Sequence, residues 1–173
     1  MKKKQMVDLV IAIFLIIAGS IILLLPINNI FNITYIFCTI LIIYSILNLI
    51  KFILTKESKD IEGLLTSIAS IITFIIAIKI HLEEKPWNLA LTLFIWIMMM
   101  SLIKNKKGDY YNDRHNKMWI LEIVTLILFI LTGVLTVINL YYTTDVQILV
   151  LGFFFLINGI LELVDPITIY LRG

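Results

Sequence analysis

With 173 residues, 61% of them hydrophobic and only 15% charged, the chain is too apolar for an ordinary soluble domain, which runs about 45–50% apolar and about 25% charged. Its net charge of +2 gives no reason to expect a nucleic-acid partner. The lone cysteine, Cys38, excludes an internal disulfide framework, and two histidines, His81 and His115, leave little material for metal or acid–base chemistry.

Six near-continuous apolar runs follow one another, at about 7–25, 33–54, 61–80, 87–103, 118–140 and 146–164. A bilayer core needs about 20 residues of helix, within a range of about 17–25. Every run fits. The runs are too long and too uniformly apolar for barrel strands, which alternate over about 10 residues. The expectation is a single all-α membrane domain over 1–173, six transmembrane helices arranged as three tandem helical hairpins. Pro26 and the asparagines Asn28, Asn29 and Asn32 mark the first turn. Pro86 suits the first turn of the fourth helix, and Asp165-Pro166 is expected to close the sixth. Lys2, Lys3 and Lys4 ahead of the first run resemble a signal peptide, but no A-x-A site follows, so an uncleaved span is expected.

Orientation follows from the basic residues. With the N-terminus in the cytoplasm and six alternating spans, every lysine and arginine except Lys79 and Lys85 falls on the cytoplasmic side. This places the protein in the plasma membrane with both termini cytoplasmic, and reads the lysines as topology signals with weak contacts to anionic head groups.

The first hairpin maps onto the third at an offset of 114. Asp8 meets Glu122, Gly19 meets Gly133, Cys38 meets Gly152, Ser45 meets Gly159 and Asn48 meets Glu162. An offset of 54 maps it onto the middle hairpin, setting Asp8 with Glu62, Ala12 with Thr66, Gly19 with Thr73 and Cys38 with Thr92. The segment from Gly19 to Pro26, together with Tyr44-Ser45-Ile46-Leu47 and the related Asn158 to Leu163, resembles the HdeD-like family of small six-helix membrane proteins built from short hairpin repeats. The likeness runs from Asp8 to Asp165. It departs where Leu140 replaces the proline of the third hairpin, and where the middle hairpin has Thr73 and Ile80 in place of Gly and Pro. The resemblance implies the six-helix fold and an association with bacterial acid resistance; it carries over no catalytic residues.

Three groups of residues invite a functional reading. A stripe of small residues is expected to pack helices closely in lipid: Gly19, Cys38 and Ser45, then Gly63, Thr66, Ser70, Thr73 and Ala77 on the third helix, then Gly133, Gly152 and Gly159. Its alternative is a polar pathway lining. Glu162 is the deepest acid, an interfacial carboxylate paired with Lys51 or a proton-sensing group beside Asn48. Asp8, Glu62 and Glu122 begin the odd helices, where negative charge complements the helix dipole; brought together by pseudo-symmetry they could hold a cation. His81 with Glu83 and Glu84, and His115 among charged neighbours, read as solvated loops.

The sequence lacks H-E-x-x-H, G-x-S-x-G, Walker and C-x-x-C motifs, so no enzyme, cofactor or metal site is expected. The expected partner is the lipid bilayer, with homo-oligomerisation open and any small-molecule or ion substrate unassigned. A non-enzymatic role of the HdeD type in acid or envelope stress is the expected function. A small oligomeric transporter or channel is the alternative, and a membrane enzyme comes third.

Overall fold

A computed structural model describes residues 3–24, 33–55, 61–80, 82, 85–140 and 144–172. The turn residues Pro26, Asn28, Asn29 and Asn32 lie outside these, as do Lys56, Lys59, His81, Glu83 and Glu84. The described residues form six α-helices: α1 (Lys3–Leu24), α2 (Ile33–Leu54), α3 (Glu62–Lys79), α4 (Pro86–Asp113), α5 (Met118–Asn139) and α6 (Thr144–Arg172). All six are long and apolar enough to cross a membrane. Helices suit that setting because each backbone N–H and C=O is satisfied within its own segment.

Two helices outrun the sequence expectation. The fourth apolar run ends near 103, yet α4 continues through Lys104, Lys107 and Gly108 to Asp113. The extension is held by α6: Lys104 pairs with Glu162 and Lys107 with Asp165, so two lysines three residues apart meet two acids three residues apart. That spacing places each pair on one helical face. Likewise α6 does not stop at Asp165-Pro166 but runs to Arg172 with Pro166 inside it and buried. A proline removes one N–H and frees the carbonyl four residues back, which membrane helices tolerate where neighbouring groups compensate.

The turn between α4 and α5 is a Schellman motif. Asn116 N–H donates to Tyr111 C=O at 3.0 Å and His115 N–H to Asn112 C=O at 2.9 Å. His115 takes the left-handed conformation this motif requires, at φ 51. Asn116 Oδ1 then accepts from Met118 N–H at 3.1 Å, opening α5. His115 is therefore a turn residue, as its loop reading expects.

Each helix neighbours the one before and after it, and α6 returns to α1, so the six form a closed ring. The closest packing is between repeats: α1 against α6, α2 against α3, α4 against α5. Pairs within a hairpin touch more loosely. Glycine explains the difference. A Cβ on Gly19 would meet Leu156 N at 2.4 Å, one on Gly63 would meet Asn48 O at 2.7 Å, and one on Gly133 would meet Ile97 Cδ1 at 2.7 Å. Each between-repeat interface thus holds a glycine at a close approach, against backbone at Gly19 and Gly63 and against the Ile97 side chain at Gly133, as expected where close approach replaces the hydrophobic force.

Burial follows the repeat. At an offset of 114 the buried residues Leu15 and Phe129, Gly19 and Gly133, Leu41 and Phe155, Tyr44 and Asn158, and Ser45 and Gly159 coincide. The offset of 54 holds for α3, where Ala12, Leu15 and Gly19 match buried Thr66, Ala69 and Thr73. It fails for α4. There the buried faces superpose at 52, setting Leu41 with Leu93, Tyr44 with Trp96 and Asn48 with Met100. The interval from Lys79 to Pro86 is two residues shorter than that from Leu24 to Ile33, which moves the register.

Candidate functional site

The middle of the bundle is aromatic. Trp96 is fully buried, its ring 5.8 Å from Tyr44, 5.9 Å from Phe154 and 6.3 Å from Phe129, centroid to centroid. The three contacts are edge-to-face, the arrangement ring quadrupoles favour. Trp96 Nε1–H donates to Ser70 Oγ at 3.3 Å, so α3 anchors the ring that α2, α5 and α6 surround. Asn158, the repeat counterpart of Tyr44 and Trp96, is 0% exposed, and neither amide atom has a hydrogen-bond partner among the described residues.

One turn nearer the end where α1 begins and α6 ends lies a small polar cavity. Tyr44, Asn48 and Lys51 line it from α2, Thr66 from α3 and Glu162 from α6, with room for about one water molecule. Asn48 is buried and donates from Nδ2 to Tyr44 C=O at 2.8 Å.

Beyond the cavity is a layer of charge. Lys51, 4% exposed, sits 2.8 Å from Asp8 and 3.3 Å from Glu62. Glu62 also lies 3.6 Å from Lys107 and 3.8 Å from Lys4. Lys107 pairs with Asp165 and stands 3.1 Å from Glu122. Asp8, Lys51, Glu62, Lys107, Glu122 and Asp165 therefore form one unbroken chain with a member on every helix. Lys104 and Glu162, at 2.5 Å, add a second α4–α6 link.

The three helix-start carboxylates are thus brought together, and the cations between them are lysine ammonium groups. Among the described residues no group of three or more His, Cys, Asp or Glu is arranged to hold a metal ion. Glu162, Asn48 and Lys51 do share one cavity, but the expected Glu162–Lys51 pair is replaced. Lys51 is held by Asp8 and Glu62 because α2 packs tightly on α3, whereas Glu162 meets the extension of α4.

The small-residue stripe serves packing. Gly19, Gly152 and Gly159 lie between α1 and α6 and Gly63 between α2 and α3. Thr66, Ser70, Thr73 and Ala77 are buried along α3. Ser45 donates or accepts across the α2–α3 contact to Ser67 Oγ at 2.9 Å; Ser67, absent from the expected stripe, belongs to it. Cys38 is half-buried. The residues missed outright are Lys104, Lys107 and Asp165, whose shared three-residue spacing was the available signal.

A family described as a short repeat of unknown function (DUF308) matches residues 10–81 and 125–170. The chain belongs to this family. The DUF308 match takes in most of α1, all of α2 and α3, most of α5 and nearly all of α6, and it leaves out α4, the helix that carries Trp96, Lys104 and Lys107 and breaks the repeat register. Among curated proteins and among solved structures, none matches the chain.

Proposed function

We propose that this is a non-enzymatic, HdeD-like integral membrane protein of acid or envelope stress tolerance, lying in the plasma membrane with both termini in the cytoplasm. The DUF308 match and the six apolar helices support the membrane setting. The basic residues crowd the end of the bundle where α1 begins and α6 ends, which favours a cytoplasmic position for that end.

The observation that carries the reading is the charge layer joining all six helices. Buried lysines are held by carboxylates, and protonating one carboxylate leaves an ammonium uncompensated in a poorly solvated place. Acid reaching this layer therefore acts on the contacts that close the ring. A bundle built this way changes its packing with proton concentration and needs no substrate to do so. The groups engage one another as ion pairs, which suits a structural response better than catalysis.

The test compares acid survival of a deletion strain with strains restored by the wild type or by Lys51→Met, alongside proton and ion flux through liposomes of purified protein. Survival that depends on the wild type, with no flux, is the expected result. Unaltered survival removes the stress role, and a flux above that of empty liposomes replaces it with transport.

A further inference from the structure

Asn158 is fully buried in α6, and neither its Nδ2 nor its Oδ1 has a hydrogen-bond partner among the described residues. An amide brings two donors and an acceptor, and leaving all of them unused away from water is costly. Other buried polar side chains of the bundle find partners: Asn48 at Tyr44 C=O, Ser45 at Ser67, Thr73 at Ala69 C=O, and Trp96 at Ser70. Both Asn48 and Asn139 turn back onto the carbonyl four residues earlier. Asn158 does not, so its amide is offered to the bundle interior instead of its own helix.

Its position says what lies on either side. Residues three or four apart share a helix face, so Asn158 stands on α6 between Phe154 and Phe155, which meet Trp96, and Glu162, which lines the polar cavity. On the aromatic side the bundle centre is closed by buried Leu41, Leu93 and Phe155, with Phe37 and Phe155 rings 6.4 Å apart across it. On the other side the cavity, bordered by Tyr44, Asn48 and Glu162, has room for about one water molecule. The polar half of the bundle centre thus ends at the level of Asn158, and an apolar plug begins there.

We propose that the Asn158 amide is a binding site for an internal water molecule, which joins it to the polar cavity. The chemistry selects the ligand. A metal cation would satisfy Oδ1 and leave the Nδ2 hydrogens unpaired, and an anion would do the reverse. Water accepts from Nδ2 and donates to Oδ1, and the cavity's polar groups supply the further partners that a buried water requires. Hydration therefore enters from the end carrying the charge layer and stops midway, at Asn158. The site depends on bundle geometry alone and is independent of any stress role.

The test is water-edited solid-state NMR of the full-length protein in liposomes, labelled with 15N at asparagine and tryptophan. Magnetisation starting on water is expected to reach the Asn158 side-chain NH2 several-fold faster than the indole N–H of Trp96, which Ser70 already engages. Asn158→Leu assigns the amide resonance by its loss, and Asn158→Gln does so if the leucine variant does not fold. Transfer to Asn158 no faster than to Trp96 overturns the proposal. The leucine variant gives a second reading, because an amide that holds water lowers the unfolding midpoint when it is removed. An unchanged or raised midpoint marks an amide with nothing bound and also overturns it. So does an Asn158 resonance that moves when sodium is exchanged for N-methylglucamine, since a cation would then occupy the site.

Discussion

Replacing Gly19 by alanine adds one methyl group where α1 and α6 touch backbone to backbone. The new Cβ would stand 2.4 Å from Leu156 N, 2.8 Å from Leu156 Cα and 2.7 Å from Gly152 O. Non-bonded heavy atoms settle at about 3.5–4.0 Å, so the helices must part by about 1 Å, a gap that forfeits roughly a quarter to a half of the dispersion attraction along the seam. No side-chain rotation can relieve a backbone contact. The expected loss is about 2–3 kcal/mol, toward the upper end of typical overpacking. Gly133→Ala meets only the side chain of Ile97, whose Cδ1 at 2.7 Å can swing aside, so about 1 kcal/mol is expected there. Gly108→Ala meets Ile123 Cδ1 at an ordinary 3.6 Å and should be neutral, or stabilising by about 0.5–1 kcal/mol through helix propensity. The assay is detergent unfolding of the three variants, followed by circular dichroism and tryptophan fluorescence. If Gly19→Ala proves no less stable than Gly108→Ala, the α1–α6 seam is not the close contact described.

Four further outcomes are expected. Lys51→Met leaves Asp8 and Glu62 without their shared cation and should cost about 3–5 kcal/mol in the same assay; a loss below that of a surface lysine such as Lys106→Met would contradict the ion-pair reading. Lys104→Glu and Glu162→Lys should each destabilise while the double exchange recovers most of the loss, and zero coupling in that double-mutant cycle would deny the pair. His115→Gly should stabilise by about 0.5–1 kcal/mol, because relief of the left-handed cost of about 1–2 kcal/mol outweighs glycine's extra freedom when unfolded; thermal unfolding reads the sign. In a Cys38→Ala background, a cysteine at exposed Lys85 should react with a membrane-impermeant thiol reagent in intact cells and one at exposed Asn116 should not. Labelling of the Asn116 position from outside would invert the topology.

Six helices were legible because lipid leaves few alternatives: a run of about 20 apolar residues must satisfy its own backbone. The repeat was legible at its rare small and acidic positions, Gly19 with Gly133 and Asp8 with Glu122. The ends of α4 and α6 were not. Charge after Ile103 and the proline at 166 look like stops when each helix is read alone, and only the meeting of Lys104 and Lys107 with Glu162 and Asp165 carries both helices onward. For the same reason the sequence offers Lys51 as one partner for Glu162. Sequence proximity to a matching repeat position suggested that partner, whereas the tight α2–α3 packing gives Lys51 to Asp8 and Glu62. The offset of 54, anchored by Glu62 on α3, misplaced α4 because apolar residues abound at every register and the run 87–103 carries no charged landmark to penalise a slip of two.

The seam between α1 and α6 joins the first helix to the last. During synthesis at about 5–20 residues per second, α1 is complete some 120 residues before α6 begins, so it waits roughly 6–24 seconds for its partner. Through that interval its glycine notch at Gly19 faces lipid or another nascent helix, and the ring stays open with Lys104 and Lys107 of α4 lacking their α6 carboxylates. The final step of assembly is consequently a closure between chain ends. A chain that stops short of Gly152 would leave five helices inserted and the bundle unlatched, a form suited to surveillance by membrane proteases and to exchange of a terminal helix with a second copy.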